Sequence, residues 1–233
     1  MFAIVIPYYK IDFFEETLKS VVAQTDKRSK LYIGNDASPD DPLPLIEKYF
    51  PDGGFHYFKY EDNLGGKNLA AQWERILENV TEEWFQILGD DDVLSENFVE
   101  SFYTNISEID NEGCNVVKFS QCWIDETGGI LNNFTNYPKF ISPAKNLNFK
   151  LTHGHRSSLS EYIFRTTSYR KFGFINLPLA WGTDDLAVFE FSEGKPIGFI
   201  ASAQVLVFLQ RNRFCSMVLR WRTFYLFCSS TMI

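Results

Sequence analysis

Short apolar runs alternate with stretches of helical apolar spacing through the first half of the chain, and that order restricts the fold more than any other feature. Residues 2–7 form an apolar run closed by a proline, which reads as a buried strand. Phe14, Leu18, Val21 and Val22 follow at helical spacing. Residues 31–33, 55–60 and 84–88 read as further strands. Between the last two, Leu69, Trp73, Ile76, Leu77 and Val80 mark one face of a helix. Ser95 is placed to cap the next helix, whose apolar face carries Phe98, Phe102, Ile106 and Ile109. This order predicts an α/β fold with a mostly parallel central sheet and helices on both faces. In such sheets ligands bind beyond the carboxyl ends of the strands. Three polar stretches fall at such ends, residues 8–10, 35–38 and 89–92, so the topology brings them to one rim.

The second half is less regular. Residues 116–119 read as a strand, the Asn- and Pro-rich stretch 132–148 as a long loop, and 160–164 as a strand. A short helix over 184–191 and one or two strands over 197–208 complete it. No repeat, low-complexity segment or linker interrupts the chain.

Composition narrows the classes. With 233 residues, 45% of them hydrophobic, the chain can bury a sizeable core as one domain. A net charge of -8 argues against nucleic acid as a partner. The exception to the acidity is the tail, where Arg211, Arg213, Arg220 and Arg222 meet no acid. There, Phe214, Met217, Val218, Trp221, Phe224 and Tyr225 follow helical spacing. A helix on an anionic membrane surface is one expectation, and a terminal helix docked on the domain or on a partner is the other. Cys114, Cys122, Cys215 and Cys228 have neither zinc-site nor redox spacing, so a reducing cytoplasm is expected. No signal peptide and no apolar run of membrane-spanning length is read.

Asp90, Asp91 and Asp92 are the sharpest local feature. Three adjacent carboxylates repel one another unless a positive charge sits among them. An acidic turn before a helix is the ordinary explanation. Here the triplet follows directly on an apolar strand, which favours an oxygen-ligand site for Mg2+ or Mn2+ completed by phosphates and water. An acidic protein holding a diphosphate needs such a cation, which Lys67 and backbone N–H groups near Gly65 and Gly66 would supplement.

The run Ile4-Val5-Ile6-Pro7-Tyr8-Tyr9, the loop Asn35-Asp36-Ala37-Ser38, the turn Asn63-Leu64-Gly65-Gly66 and the segment from Leu88 to Leu94 resemble family 2 glycosyltransferases in order and spacing. The resemblance covers about residues 1–110 closely and the rest loosely. It implies a GT-A fold, Rossmann-like, and an inverting transfer of a sugar from a nucleotide-sugar donor to a glycan or lipid-linked acceptor, as in polysaccharide or cell-surface glycan biosynthesis. It divides the chain into a single domain, 1–210, with a nucleotide-binding half, 1–110, an acceptor-binding half, 111–210, and the basic amphipathic tail 211–233. Carried over by position, it places Pro7, Tyr8, Tyr9, Asp36, Ser38, Asn63 and Gly65 around the donor nucleotide. Asp36 would accept from a base N–H, typically that of uracil. Asn35 stands where the family usually has a first acid.

The family's metal signature is Asp-X-Asp. Alignment through Val93 makes Asp91 the principal ligand, with Gly89 at the first acid; direct alignment of the acids gives Asp90 and Asp92. Our reading assigns Asp91 and Asp92 to the metal and Asp90 to the ribose or the metal. The resemblance further implies that Thr183-Asp184-Asp185 carries the catalytic base, with Asp185 taking the proton and Asp184 standing where the family usually has Glu. Trp181 is expected to stack on an acceptor sugar, unless it is an ordinary rim aromatic.

Other candidates weigh less. His153-Gly154-His155-Arg156 reads as a loop, with Arg156 as an anion contact, rather than as a metal site. A nucleotidyltransferase would need a Gly-rich basic phosphate loop that the opening lacks. A degenerate binding module that never turns a donor over is the other rival.

Overall fold

The computed structural model describes residues 1–152 and 157–209, apart from the side chain of Leu179. Residues 153–156 and the arginine-bearing tail, with the readings attached to them, lie outside the described residues.

Among the described residues nine strands form one sheet. They are β1 (Phe2–Tyr8), β2 (Ser29–Asn35), β3 (Phe55–Lys59), β4 (Trp84–Ile87), β5 (Asp92–Leu94), β6 (Val116–Ile124), β7 (Phe140–Ile141), β8 (Tyr162–Arg165) and β9 (Ile197–Phe208). Their order is β3-β2-β1-β4-β8-β6-β9-β5, with β7 pairing β9 off this path. The β3-β2-β1-β4 part is wholly parallel, as the strand–helix alternation requires. β8 enters antiparallel between β4 and β6, while β6 and β9 run parallel. β9 is one strand with a register shift opposite Phe119 and Ser120.

The α-helices of the described residues cover the two faces: α1 (Phe14–Val22), α2 (Leu43–Tyr49), α3 (Leu69–Leu77), α4 (Phe98–Asn111), α5 (Pro143–Thr152), α6 (Thr166–Phe172) and α7 (Thr183–Phe191). Alternation along β1 sorts the core. Phe2, Ile4, Ile6 and Tyr8 pack with Phe14 and Leu18 of α1, Ile46 of α2, and Phe98 and Phe102 of α4. Ala3 and Val5 face Trp73 and Ile76 of α3, and that same core holds Val188 and Phe191 of α7. Full burial of one such Leu or Phe stabilises by about 1.5–3 kcal/mol.

The structure departs from the sequence reading in places. The stretch expected to be a loop over 132–148 contains β7 and most of α5. Ser95 does not cap α4: its hydroxyl donates to Asn97 and accepts from the Gln204 N–H, and α4 begins at Phe98. Ser160 lies in a 3-10 turn, Leu159–Glu161, ahead of β8. Cys114 and Cys122 are buried thiols. Among the described residues no helix is long and apolar enough to cross a membrane.

Candidate active site

The three polar stretches meet at the carboxyl ends of β1, β2 and β4. The Asp36 N–H donates to the Tyr8 carbonyl (3.0 Å), joining the ends of β2 and β1. The N–H groups of Tyr9 and Lys10 both donate to Asp90 Oδ2 at 2.7 Å, joining β1 to the end of β4. Thr17 of α1 donates to the Asp90 carbonyl at 3.2 Å. Asp90 is largely buried, and that burial pushes its carboxyl up to about 6 against the two N–H donors.

A cleft of about 380 Å³ opens on this rim, lined among others by Pro7, Tyr9, Lys10, Asp36, Gly65 and Asp90. Asn63, Gln72, Trp73, Gly89 and Ser160 complete its polar and aromatic walls. The expected run of Pro7, Tyr8 and Tyr9 lines it only at alternate positions. Tyr8 points the other way because a strand alternates its side chains; it is fully buried, packs on Phe14 and donates to the Asp40 carbonyl. Ser38 donates to the Tyr9 carbonyl at 2.7 Å, so it shapes the rim through the backbone.

Asp36 is buried and tied down. It accepts from the N–H groups of Leu64 and Gly65, both at 2.8 Å, and pairs with the Arg75 guanidinium from α3. Burial raises its pKa, while the N–H donors and Arg75 oppose that rise. Arg75 in turn stacks on the Tyr60 ring at 3.7 Å. The N–H of Gly66 goes to Asn63 Oδ1 at 2.6 Å. The backbone donors expected at a diphosphate are thus taken by Asp36 and Asn63. Lys67 is exposed outside the cleft lining, and Lys10 is the basic residue among its described lining residues. Asn35 is buried, donates to the Tyr57 hydroxyl and accepts from the Ser38 N–H, both at 2.9 Å. Its role is to hold the loop, which suits a neutral amide better than a buried second acid.

The acid triplet divides by environment. Asp92 is buried and accepts from the Ser160 hydroxyl, which itself accepts from the Gly89 N–H at 3.0 Å. Burial and the neighbouring Asp91 raise its pKa. Asp91 is partly exposed. All the donors here are oxygens, matching Mg2+ or Mn2+. Among the described residues no group of three acidic, His or Cys side chains is assembled to hold an ion unaided. A cation here would be held by one or two carboxylates and finished by ligand and water.

The second acidic group stands at the start of α7. Gly182 takes a left-handed φ of 78°, open to glycine, and lets the chain turn into the helix. Thr183 is buried and donates to the Ile175 carbonyl at 2.9 Å. Asp184 and Asp185 occupy the first turn, where the helix dipole favours anions. Lys150 of α5 donates to both oxygens of Asp185, at 2.6 and 2.7 Å. Trp181 is partly exposed beside this turn, at 37%. Neither acid nor Trp181 lines the donor-side cleft. The 3-10 turn separates the two groups: Ser160 touches Asp92, and the adjacent Glu161 pairs with Lys118, whose charge reaches Asp185.

Residues 3–172 match the family model described as Glycosyl transferase family 2. The chain belongs to glycosyltransferase family 2. A curated relative, the uncharacterized glycosyltransferase RC0461 of Rickettsia conorii, is 27% identical over 150 residues, 64% of this chain and 24% of that one. Among solved structures, S. aureus TarS residues 1–349 in complex with UDP-GlcNAc matches with a TM-score of 0.69 at 16% identity, covering 90% of this chain and 59% of that one. The same TarS fragment in complex with UDP gives 0.66 at 16% identity, with 90% and 60% covered. The family 2 chain therefore has the GT-A fold and spans about a quarter of the curated relative and three fifths of the TarS fragment.

Proposed function

We propose that this family 2 chain is an inverting glycosyltransferase that moves a sugar from a UDP-sugar to a saccharide or lipid-linked acceptor in polysaccharide or cell-surface glycan synthesis. The observation that carries the reading is the cleft at the carboxyl ends of β1 and β4, with Asp36 and Asp90 in its wall and a separate acidic pair at α7. The UDP-bound TarS structures favour uridine as the nucleoside. Asp91 would be the main ligand of Mg2+ or Mn2+, with Asp92 or Asp90 in support, and that cation would offset the charge of the diphosphate.

The chain's own groups divide the remaining work. Tyr9 and Trp73 give the cleft an aromatic wall for a base, and Asp36 holds the turn at Leu64 and Gly65 beside it. On the acceptor side, Asp185 would take the hydroxyl proton as that oxygen attacks the anomeric carbon. Trp181 would offer its exposed face to the acceptor ring.

A panel of UDP-sugars with Mn2+ tests this by melting temperature and by release of UDP. One member should stabilise the protein and be hydrolysed slowly, and EDTA should abolish release. Asp185→Asn should keep the thermal shift and lose release by roughly 100-fold or more. Undiminished release by that variant would remove the base assignment. Absence of any thermal shift across the panel, extended to GDP- and TDP-sugars, would remove the donor reading.

A further inference from the structure

Lys150 has no place in the donor site, yet it closes on the acid pair with more contacts than a surface lysine makes. Its ammonium bridges both oxygens of Asp185 and lies 3.5 Å from Asp184 Oδ2. Its side chain is only 13% exposed. A flexible surface ion pair would be worth little, but this lysine is delivered by a fixed helix. Asn146 stands one turn earlier on the same face of α5. It is buried, accepts from Lys118 Nζ at 3.1 Å and donates to the Tyr162 hydroxyl at 3.3 Å. A buried anchor therefore sets the height at which Lys150 meets α7.

Two neighbouring carboxylates in a half-buried corner tend to share one proton. Burial and then Asp184 raise the Asp185 pKa, and Lys150 holds that rise in check without cancelling it. Burial disfavours the charge on Lys150, but Asp184 and Asp185 outweigh it and raise its pKa. Among the described residues, the other charged and titratable groups on the neighbouring elements have partners of their own. Lys118 of β6 is paired with Glu161, and Tyr162 of β8 lies beside Asn146. Arg170 and Lys171 of α6 are bound to the Val80 carbonyl and to Glu193.

We propose that Lys150 is a positioning residue for the acceptor-side base, holding Asp185 ionised beside Asp184 so that the pair is available near neutral pH. The inference rests on the reading of Asp185 as that base. Each Asp185 oxygen keeps a lone pair with Lys150 in place, so the carboxylate can still receive a proton.

Two measurements test it. The first is the pH profile of UDP release from the UDP-sugar that stabilises the protein most. Lys150→Met should move the acid limb upward by about one pH unit or more, since a cation beside a carboxylate lowers its pKa by about 1–3. Lys150→Arg should keep the limb in place, and Asp184→Asn should move it down. Lys150→Met combined with Asp184→Asn should bring it back toward wild type. The second measurement needs no turnover: the 13C titration of the Asp185 carboxyl, assigned through Asp185→Asn, in wild type and in Lys150→Met. An unmoved titration in folded Lys150→Met, or in Lys150→Gln where Met does not fold, overturns the proposal. A shifted titration with release insensitive to Asp185→Asn would instead defeat the base assignment and leave Lys150 without a catalytic partner.

Discussion

Replacing Glu161 by Gln probes the buried ion pair beneath the cleft. Lys118 and Glu161 side chains are 1% and 0% exposed and 3.1 Å apart. Glu161 also accepts from the Ser157 hydroxyl at 2.9 Å and the Ser158 N–H at 3.3 Å. Gln preserves the shape and one acceptor, but it leaves the Lys118 ammonium buried against Asn146 and the rings of Tyr137 and Tyr162. Breaking such a pair from one side costs about 3–5 kcal/mol. For a chain of this size that lowers Tm by roughly 6–20 °C, at about 2–4 °C per kcal/mol. The reverse change, Lys118→Met, should cost less. Burial already raises the Glu161 pKa, so the stranded carboxyl can take a proton. In that variant the folded state binds a proton that the unfolded state releases, so its stability should decline as pH rises above about 4.3, the ordinary Glu value. The double variant should be more stable than Glu161→Gln alone, giving a favourable coupling in the cycle. Urea unfolding followed by circular dichroism at pH 7 reads all four proteins. A Glu161→Gln protein within about 1 kcal/mol of wild type, or strictly additive costs, would refute the reasoning.

Two further outcomes follow from the same structure. Gly34→Ala would press a Cβ into the Ile76 side chain, so that side chain or α3 must shift; a loss of about 1–3 kcal/mol in thermal unfolding is expected, partly recovered by Ile76→Val. Ser160→Ala removes the donor to Asp92 and the acceptor of the Gly89 N–H; it should cost about 1–3 kcal/mol and weaken calorimetric binding of UDP with Mn2+ more than Gly34→Ala does.

The parallel half of the fold was legible because β1, β2 and β4 each bury both faces and read as apolar runs, while α1, α3 and α4 keep a clear apolar stripe. The rim followed from topology, and the bond from the Asp36 N–H to the Tyr8 carbonyl is its closure. α5 was not legible. Residues 143–152 include two asparagines and two lysines, and its buried positions are Pro143 and Asn146, with Phe149 partly buried beside them, rather than an apolar stripe. The partners of the candidate site were also hidden. Arg75 lies 39 residues from Asp36, Ser160 lies 68 from Asp92, and Lys150 lies 35 from Asp185. No periodicity spans such separations; the sheet order sets them. A motif identified the acids, and only the fold identified what holds each of them.

The insertion of β8 has an evolutionary and engineering consequence. This strand stitches Trp84, Phe85 and Gln86 of β4 to Val116, Val117 and Lys118 of β6, although it comes about 45 residues after β6 begins. A fragment cut near residue 110 would leave β4 with a bare edge, open to strand addition by another copy. Any chimera on this scaffold must therefore carry β8, and with it β9, which lies between β6 and β5 in the same sheet.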